Sequence, residues 1–176
     1  MMAMATVPAS GPGASEQFEA LYRSSAADVY AYVASLLRDR TAAEDVTSLA
    51  FERAFRRRAL FDVHRGSARS WLFAIARNAA LDELRRRRRS GALLRDVAEE
   101  SDEEEDLDAL LAERRLLVRD GLASLEPRER EVILLKFLGR LSNAELARVL
   151  GCSESNAGTR LHRAIERLRE VCGVTR

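Results

Sequence analysis

Apolar residues recur along this chain at the three-to-four-residue spacing that puts them on one side of a helix. Phe18, Leu21, Tyr22, Val29, Tyr32, Val33, Leu36 and Leu37 predict a helix over 18–37, with Ser25-Ala-Ala-Asp28 placed to cap a break within it. Thr41-Ala-Ala-Glu44 has the form of a capping box, in which hydroxyl and carboxylate satisfy each other's backbone donors. It predicts a helix from Ala42 to about Arg58, with Val46, Leu49, Ala50 and Ala54 inward, Phe51 and Phe55 on an adjacent face, and Glu44, Asp45, Glu52 and Arg56 outside. Phe61–Arg69 breaks the period, and Gly66 with Ser67 marks a loop. The stretch Ser70–Arg89 then reads as a helix with Ser70 as N-cap and Leu72, Ile75, Ala76, Ala79 and Leu84 on one side. Asn78, Asp82 and Arg85 share a second stripe, and the helix runs out into five arginines, 85 to 89, before Gly91 ends it.

The C-terminal part repeats the helical pattern in shorter pieces. Residues 107–125 are amphipathic with heptad-like spacing. Pro127 predicts the first turn of a helix with Val132, Leu135 and Leu138 inward and Gly139 as its C-cap. Ser142-Asn-Ala-Glu145 is a second capping box, opening a short helix through Leu146, Val149 and Leu150 that Gly151 closes. Ser153 caps a longer helix to about Val171, with Ala157, Leu161, Ala164, Ile165, Leu168 and Cys172 inward. The prediction is an all-α chain with two small helical domains.

Charge sharpens the division. The net charge of +1 conceals +6 over residues 16–95, −10 over residues 96–113 and +5 over residues 114–176. Two basic blocks joined by an acidic strap with no proline or aromatic predict a flexible or weakly helical acidic linker over 91–113. Residues 1–15, small and carrying Pro8 and Pro12, read as a disordered tail that lacks the form of a secretory signal. No apolar run reaches the ~18 residues of a membrane span, so a cytoplasmic protein is expected. Two cysteines, Cys152 and Cys172, fall on apolar positions and read as packing residues rather than a disulfide framework. There is no glycine-rich phosphate loop, no His/Cys/Asp cluster and no nucleophile with an evident base, so neither catalysis, a metal nor a cofactor is expected.

Short helix, glycine turn and a longer helix with polar first residues is a helix-turn-helix layout. Ser153, Ser155, Asn156, Thr159, Arg160, His162 and Arg163 are the residues that would reach base edges and phosphates. The Ser70–Arg89 helix combines a greasy side, a hydrogen-bonding stripe and a cationic end, which suits a helix lying against nucleic acid. Its plainer reading is a charge-rich surface helix, and the plainer reading of the C-terminal pair is an ordinary helical hairpin. A free-standing helix-turn-helix regulator fits the C-terminal part but leaves residues 16–90 unexplained.

Several strings taken together resemble the extracytoplasmic-function sigma factors of bacterial RNA polymerase. They are Thr41-Ala-Ala-Glu-Asp-Val46 followed by Phe51 and Phe55, Ser70-Trp-Leu-Phe-Ala-Ile-Ala-Arg-Asn78 followed by Asp82 and the arginines, Pro127-Arg-Glu-Arg-Glu-Val-Ile-Leu-Leu135, and Arg160-Leu-His-Arg-Ala164. The resemblance spans about residues 16–90 and 114–172. It implies region 2 over 16–90 and region 4 over 114–173, which bind core polymerase and promoter DNA. Core contact, through the β′ clamp helices, would fall to Glu44, Asp45, Ser48, Phe51, Glu52 and Phe55, with the β flap a further contact of the polymerase. The minus-ten element would be recognised and melted by Phe61, His64, Arg65, Ser67, Ser70, Trp71, Arg77, Asn78, Asp82, Arg85 and Arg86. The minus-thirty-five element would be read by the C-terminal helix, and an anti-sigma factor would be a further partner. Two departures stand out. Where the family usually has Asp-Leu-Val-Gln-Glu, this chain has Asp45-Val-Thr-Ser-Leu49. Where it usually has Gly-Thr-Val-Lys-Ser, this chain has Ser155-Asn-Ala-Gly-Thr159, so a basic contact is lost and a glycine enters a helix.

Overall fold

The computed structural model describes residues 12–90 and 109–173, with side chains over 15–90 and 115–173. Those residues are helical, with no strand among them, and divide into two compact units, Met1–Val97 and Ala98–Arg176. The tail over 1–11 and the strap over 91–108 lie outside the described residues.

Three helices, α1 (Pro12–Leu37), α2 (Arg40–Arg57) and α3 (Ala68–Arg89), pack on one another in the N-terminal unit. Their shared core is Val29, Tyr32, Val33, Ala43, Val46, Ala50, Ala54, Leu72, Phe73, Ala76, Ala79 and Ala80. The run of alanines lets the helices approach closely, and Tyr32 meets Phe73 edge-on at 5.6 Å to fill the centre. Helix α1 begins before Phe18, so residues 12–15 are helical rather than tail. It is also continuous through Ser25 and Asp28, which cap no break. These two side chains instead take the guanidinium of Arg69, which donates to Ser25 Oγ at 3.1 Å, to the Ser24 carbonyl at 3.2 Å and to Asp28 Oδ2 at 2.5 Å.

Both expected N-caps in this unit shift towards the N-terminus. Asp39, not Thr41, caps α2, accepting from the Ala42 N–H at 3.0 Å. Ser67, not Ser70, caps α3, accepting from the Ser70 N–H at 3.1 Å, and Ser70 is buried with its hydroxyl donating back to the Ser67 carbonyl. Between α2 and α3 run two 3-10 turns, Arg58–Leu60 and Val63–Arg65, the second capped by Asp62. Leu49, expected inward, is exposed, and of the adjacent-face pair Phe51 and Phe55, which could be core edge or partner surface, Phe51 is buried against the Tyr22 ring at 4.7 Å.

The C-terminal unit holds α4 (Ala109–Ser124), α5 (Pro127–Phe137), α6 (Asn143–Leu150) and α7 (Glu154–Val171). Helix α4 starts at Ala109, inside the span expected to be linker. Helix α5 is covered on more than one side, so Val132, Ile133, Leu134 and Leu135 are buried in succession rather than along one stripe. Arg130 is buried too. It donates to the carbonyls of Leu122 at 2.7 Å, Ala123 at 2.7 Å and Leu125 at 3.1 Å, satisfying the acceptors that α4 leaves open at its C-terminal end. Helix α5 ends at Phe137 with Leu138, not Gly139, as its C-cap. Lys136 then ties the following turn by donating to the Leu141 carbonyl and to Asn143 Oδ1, each at 3.0 Å. Helix α7 packs on α4, α5 and α6 and buries Ala157, Leu161 and Ala164, while Cys152 and Cys172 are half-buried. Gly121 allows the α4–α7 approach, since a Cβ there would fall 2.6 Å from Cys172 Sγ.

Candidate nucleic-acid interface

Local chemistry fixes the turn between α6 and α7. Ser142 accepts from the Glu145 N–H at 3.2 Å while Glu145 accepts from the Ser142 N–H at 3.0 Å, closing the capping box. Gly151 ends α6 with φ +68°, the left-handed conformation that disfavours a side chain. Ser153 then caps α7, accepting from the Asn156 N–H at 3.2 Å. A short helix, a left-handed glycine and a capped longer helix are thus in place at the positions expected.

The two halves of α7 differ in their charges. Towards its C-terminus Arg167 pairs with Glu170 at 2.9 Å and Arg169 with Glu166 at 2.5 Å. Over its first ten residues Ser155, Asn156, Thr159, Arg160, His162 and Arg163 are all exposed, and Arg160 and Arg163 form no ion pair among the described residues. Thr159 spends its hydroxyl on the Ser155 carbonyl at 3.0 Å. Two cations without internal partners beside amide and hydroxyl groups can meet phosphates and base edges without first breaking an ion pair.

In the N-terminal unit the arginine run at the end of α3 is not uniform. Arg85 pairs with Asp82 at 3.0 Å, and Asp82 also faces Arg53 at 3.8 Å. Arg86 and Arg87 both hold Glu83, and Arg87 reaches across to Asp39 at 2.9 Å. The hydrogen bond from Arg86 lowers the Glu83 carboxyl to about 2, with Arg87 adding to it against burial. The Ala42 N–H, then Arg87, holds Asp39 below the usual carboxylate range despite burial. Burial lowers the Arg87 pKa, but the hydrogen bonds to Glu83 and Asp39 outweigh it and the pKa is raised. Arg87 is therefore a strut between α3 and the start of α2, while Arg88 and Arg89 form no ion pair among the described residues and face solvent.

At the N-terminal end of α3, Phe61 and Trp71 meet with ring centroids 5.5 Å apart and planes tilted by 49°. Next to Phe61 in the chain stand Leu60, 76% exposed, and Val63, 52% exposed, with His64 and Arg65 also exposed. The sequence pattern passed over Leu60 and Val63, because an apolar residue in an aperiodic turn carries no signal of its own exposure. Of the remaining candidates here, Ser67 is exposed but committed as a cap, Arg77 is half-buried, and Asn78 and Asp82 are exposed on α3. On α2, Glu44, Asp45, Ser48, Glu52 and Phe55 are exposed, whereas Phe51 belongs to the core. Phe55 is a half-open ring at the helix edge, edge-on to Phe18 at 5.2 Å and covered on one face by Arg58 at 4.1 Å.

Comparison with known proteins assigns both units. Residues 21–90 match the family described as Sigma-70 region 2, and residues 115–168 match Sigma-70, region 4. The ECF RNA polymerase sigma factor SigL of Mycobacterium tuberculosis is 33% identical over 184 residues, covering 98% of this chain and 100% of that protein. The RNA polymerase sigma factor CarQ of Myxococcus xanthus is 32% identical over 163 residues, covering 92% of each. Among solved structures, the sigma factor RpoE in complex with the anti-sigma factor NepR from Bartonella quintana superposes with a TM-score of 0.75 at 25% identity, covering 92% of this chain and 99% of that one. CnrH in complex with the cytosolic domain of CnrY gives 0.65 at 25% identity, covering 96% and 94%.

Proposed function

This chain belongs to the extracytoplasmic-function sigma factors of the sigma-70 family and directs promoter-specific transcription initiation, and we propose that its two units divide the promoter between them. Helix α7 reads the minus-thirty-five element, and the turns at 58–65 with α3 recognise and open the minus-ten element. The observation that carries this division is the capped N-terminal part of α7, whose cations Arg160 and Arg163 form no ion pair among the described residues, while Arg167 and Arg169 nearer its C-terminus are paired. In the N-terminal unit, exposed Leu60 and Val63 beside a Phe61–Trp71 pair and basic side chains fit the separation of stacked bases, where apolar and aromatic groups replace the lost stacking and cations hold the strand.

The acidic and aromatic outer face of α2, with Glu44, Asp45, Ser48, Glu52 and Phe55, is the surface for the β′ clamp helices, and the β flap is a further contact. The chain contributes binding rather than catalysis and acts in the cytoplasm. No helix among the described residues is long and apolar enough to cross a membrane. One structurally similar sigma factor is solved in complex with an anti-sigma factor, and a second similar protein, CnrH, with the cytosolic domain of CnrY, which supports an anti-sigma partner for this chain as well. A free-standing regulator would need only the C-terminal unit and does not account for the region 2 match.

Photo-crosslinking in a complex of core polymerase, the full chain and a promoter tests the division. A probe at position 64 is expected to label the minus-ten element, and one at position 160 the minus-thirty-five element. Labelling of the same element from both positions would refute it.

A further inference from the structure

Gly158 stands in the second turn of α7, where the helix carries its DNA-facing residues, and the fold gives no reason for a glycine there. Its backbone is helical without a positive φ, and a Cβ at this position would meet nothing within 4 Å. Gly121 makes the contrast, since its missing side chain leaves room for Cys172 and Leu168. Glycine is among the least favourable residues in a helix interior, because it loses the most backbone freedom on folding. A residue that weakens its helix and frees no space inside the protein is one whose gain has to come from outside the protein.

The position tells which outside surface is concerned. Ala157, Leu161 and Ala164 form the buried back of α7, while Ser155, Thr159 and Arg163 look outward. Successive helical residues turn by about 100°, which puts Gly158 about 160° around the helix from Arg160. One flank of the helix therefore carries Asn156 and Arg160, and on the opposite flank the main chain is uncovered at Gly158, between Glu154 one turn before it and His162 one turn after it. A helix lying in a DNA groove has a strand passing along each flank. Arg160 would hold the phosphates of one strand. On the other side exposed Glu154, one turn before Gly158, repels phosphates and His162, one turn after it, can donate to the strand, so at Gly158 itself, where no side chain reaches a phosphate, the approach is through the neutral sugars.

We propose that Gly158 is a positioning residue for promoter recognition: the gap it leaves on its flank of α7, between Glu154 and His162, is where the deoxyribose wall of the groove closes on the helix backbone, and that approach sets how deeply Asn156, Thr159 and Arg160 reach. This rests on the reading of α7 as the helix that enters the groove.

The test uses the full chain bound to core polymerase and a duplex carrying the minus-thirty-five element, with Gly158→Ala, Gly158→Lys and Arg160→Ala. Gly158→Ala is expected to raise the melting transition of the C-terminal unit by about 4 °C. It is also expected to weaken duplex binding about tenfold and to flatten the preference among base-pair variants of the element. Gly158→Lys restores a cation yet is expected to bind no better than Gly158→Ala. Unchanged binding by Gly158→Ala would overturn the proposal. So would tighter binding by Gly158→Lys with a steeper salt dependence, which would make the position a missing phosphate contact. If Arg160→Ala weakens binding and Gly158→Ala does not, this proposal alone fails. If neither does, α7 is not the reading helix.

Discussion

Arg130 provides the sharpest test of how the C-terminal unit is held together. Its guanidinium is buried and gives three hydrogen bonds to carbonyls at the end of α4, two at 2.7 Å and one at 3.1 Å. A hydrogen bond from a charged donor is worth about 1.5–3 kcal/mol when one partner is removed. Arg130→Ala does not lose three times that amount. Ala123 is exposed, so water can replace one bond, and removing the arginine also removes the cost of burying its charge. A net loss of about 3 kcal/mol is expected, which for a unit of this size lowers the melting temperature by roughly 15 °C. Differential scanning calorimetry on the full chain should show the C-terminal transition moving by that amount while the N-terminal one stays in place. Arg130→Lys, which keeps the charge but cannot span three carbonyls, should fall between. A shift below about 2 °C for Arg130→Ala would mean that the α4 end is satisfied by other groups and that the buried arginine is incidental.

Further outcomes follow from the N-terminal unit. The depressed carboxyls of Glu83 and Asp39 contribute stability that is present above their unfolded values and lost as pH falls through the folded ones. For Glu83 that window runs from 4.5 down to about 2. Denaturant unfolding at a series of pH values should therefore show stability falling across it, and Glu83→Gln should flatten the fall. Phe51→Ala should destabilise the unit by about 3–5 kcal/mol, measured by urea unfolding. Phe55→Ala should leave folding nearly intact and weaken binding to core polymerase in fluorescence anisotropy; equal effects on folding would deny Phe55 a surface role. Leu60→Ser, at a site 76% exposed, should leave stability and core binding unchanged and reduce permanganate reactivity of the melted promoter region.

Much of the C-terminal unit was legible because its signals are local. The Ser142–Glu145 box, Gly151 and Ser153 each act within four residues of themselves, so their spacing alone located the α6–α7 turn. The N-terminal unit was harder because its decisions are long-range. Asp39 displaces Thr41 as the cap of α2 while also binding Arg87, which is distant in the chain. Phe51 and Phe55 share a stripe, and only the placement of Tyr22 and Phe18 on α1 decides that one ring is buried and the other half-open. The arginine run at 85–89 reads as one cationic block, yet its members divide into struts and solvent-facing charges according to Asp82, Glu83 and Asp39. Arg69 and Arg130 left no trace in the pattern, since a buried arginine is recognisable only by the acceptors that surround it.

Runoff transcription with purified core polymerase tests the central claim most directly, using a library of promoter fragments with and without this chain and with its Arg160→Ala, Arg163→Ala variant. The account predicts transcripts from a defined subset of promoters only when the chain is present, and fewer from that subset with the variant. Output that is the same with and without the chain would contradict it.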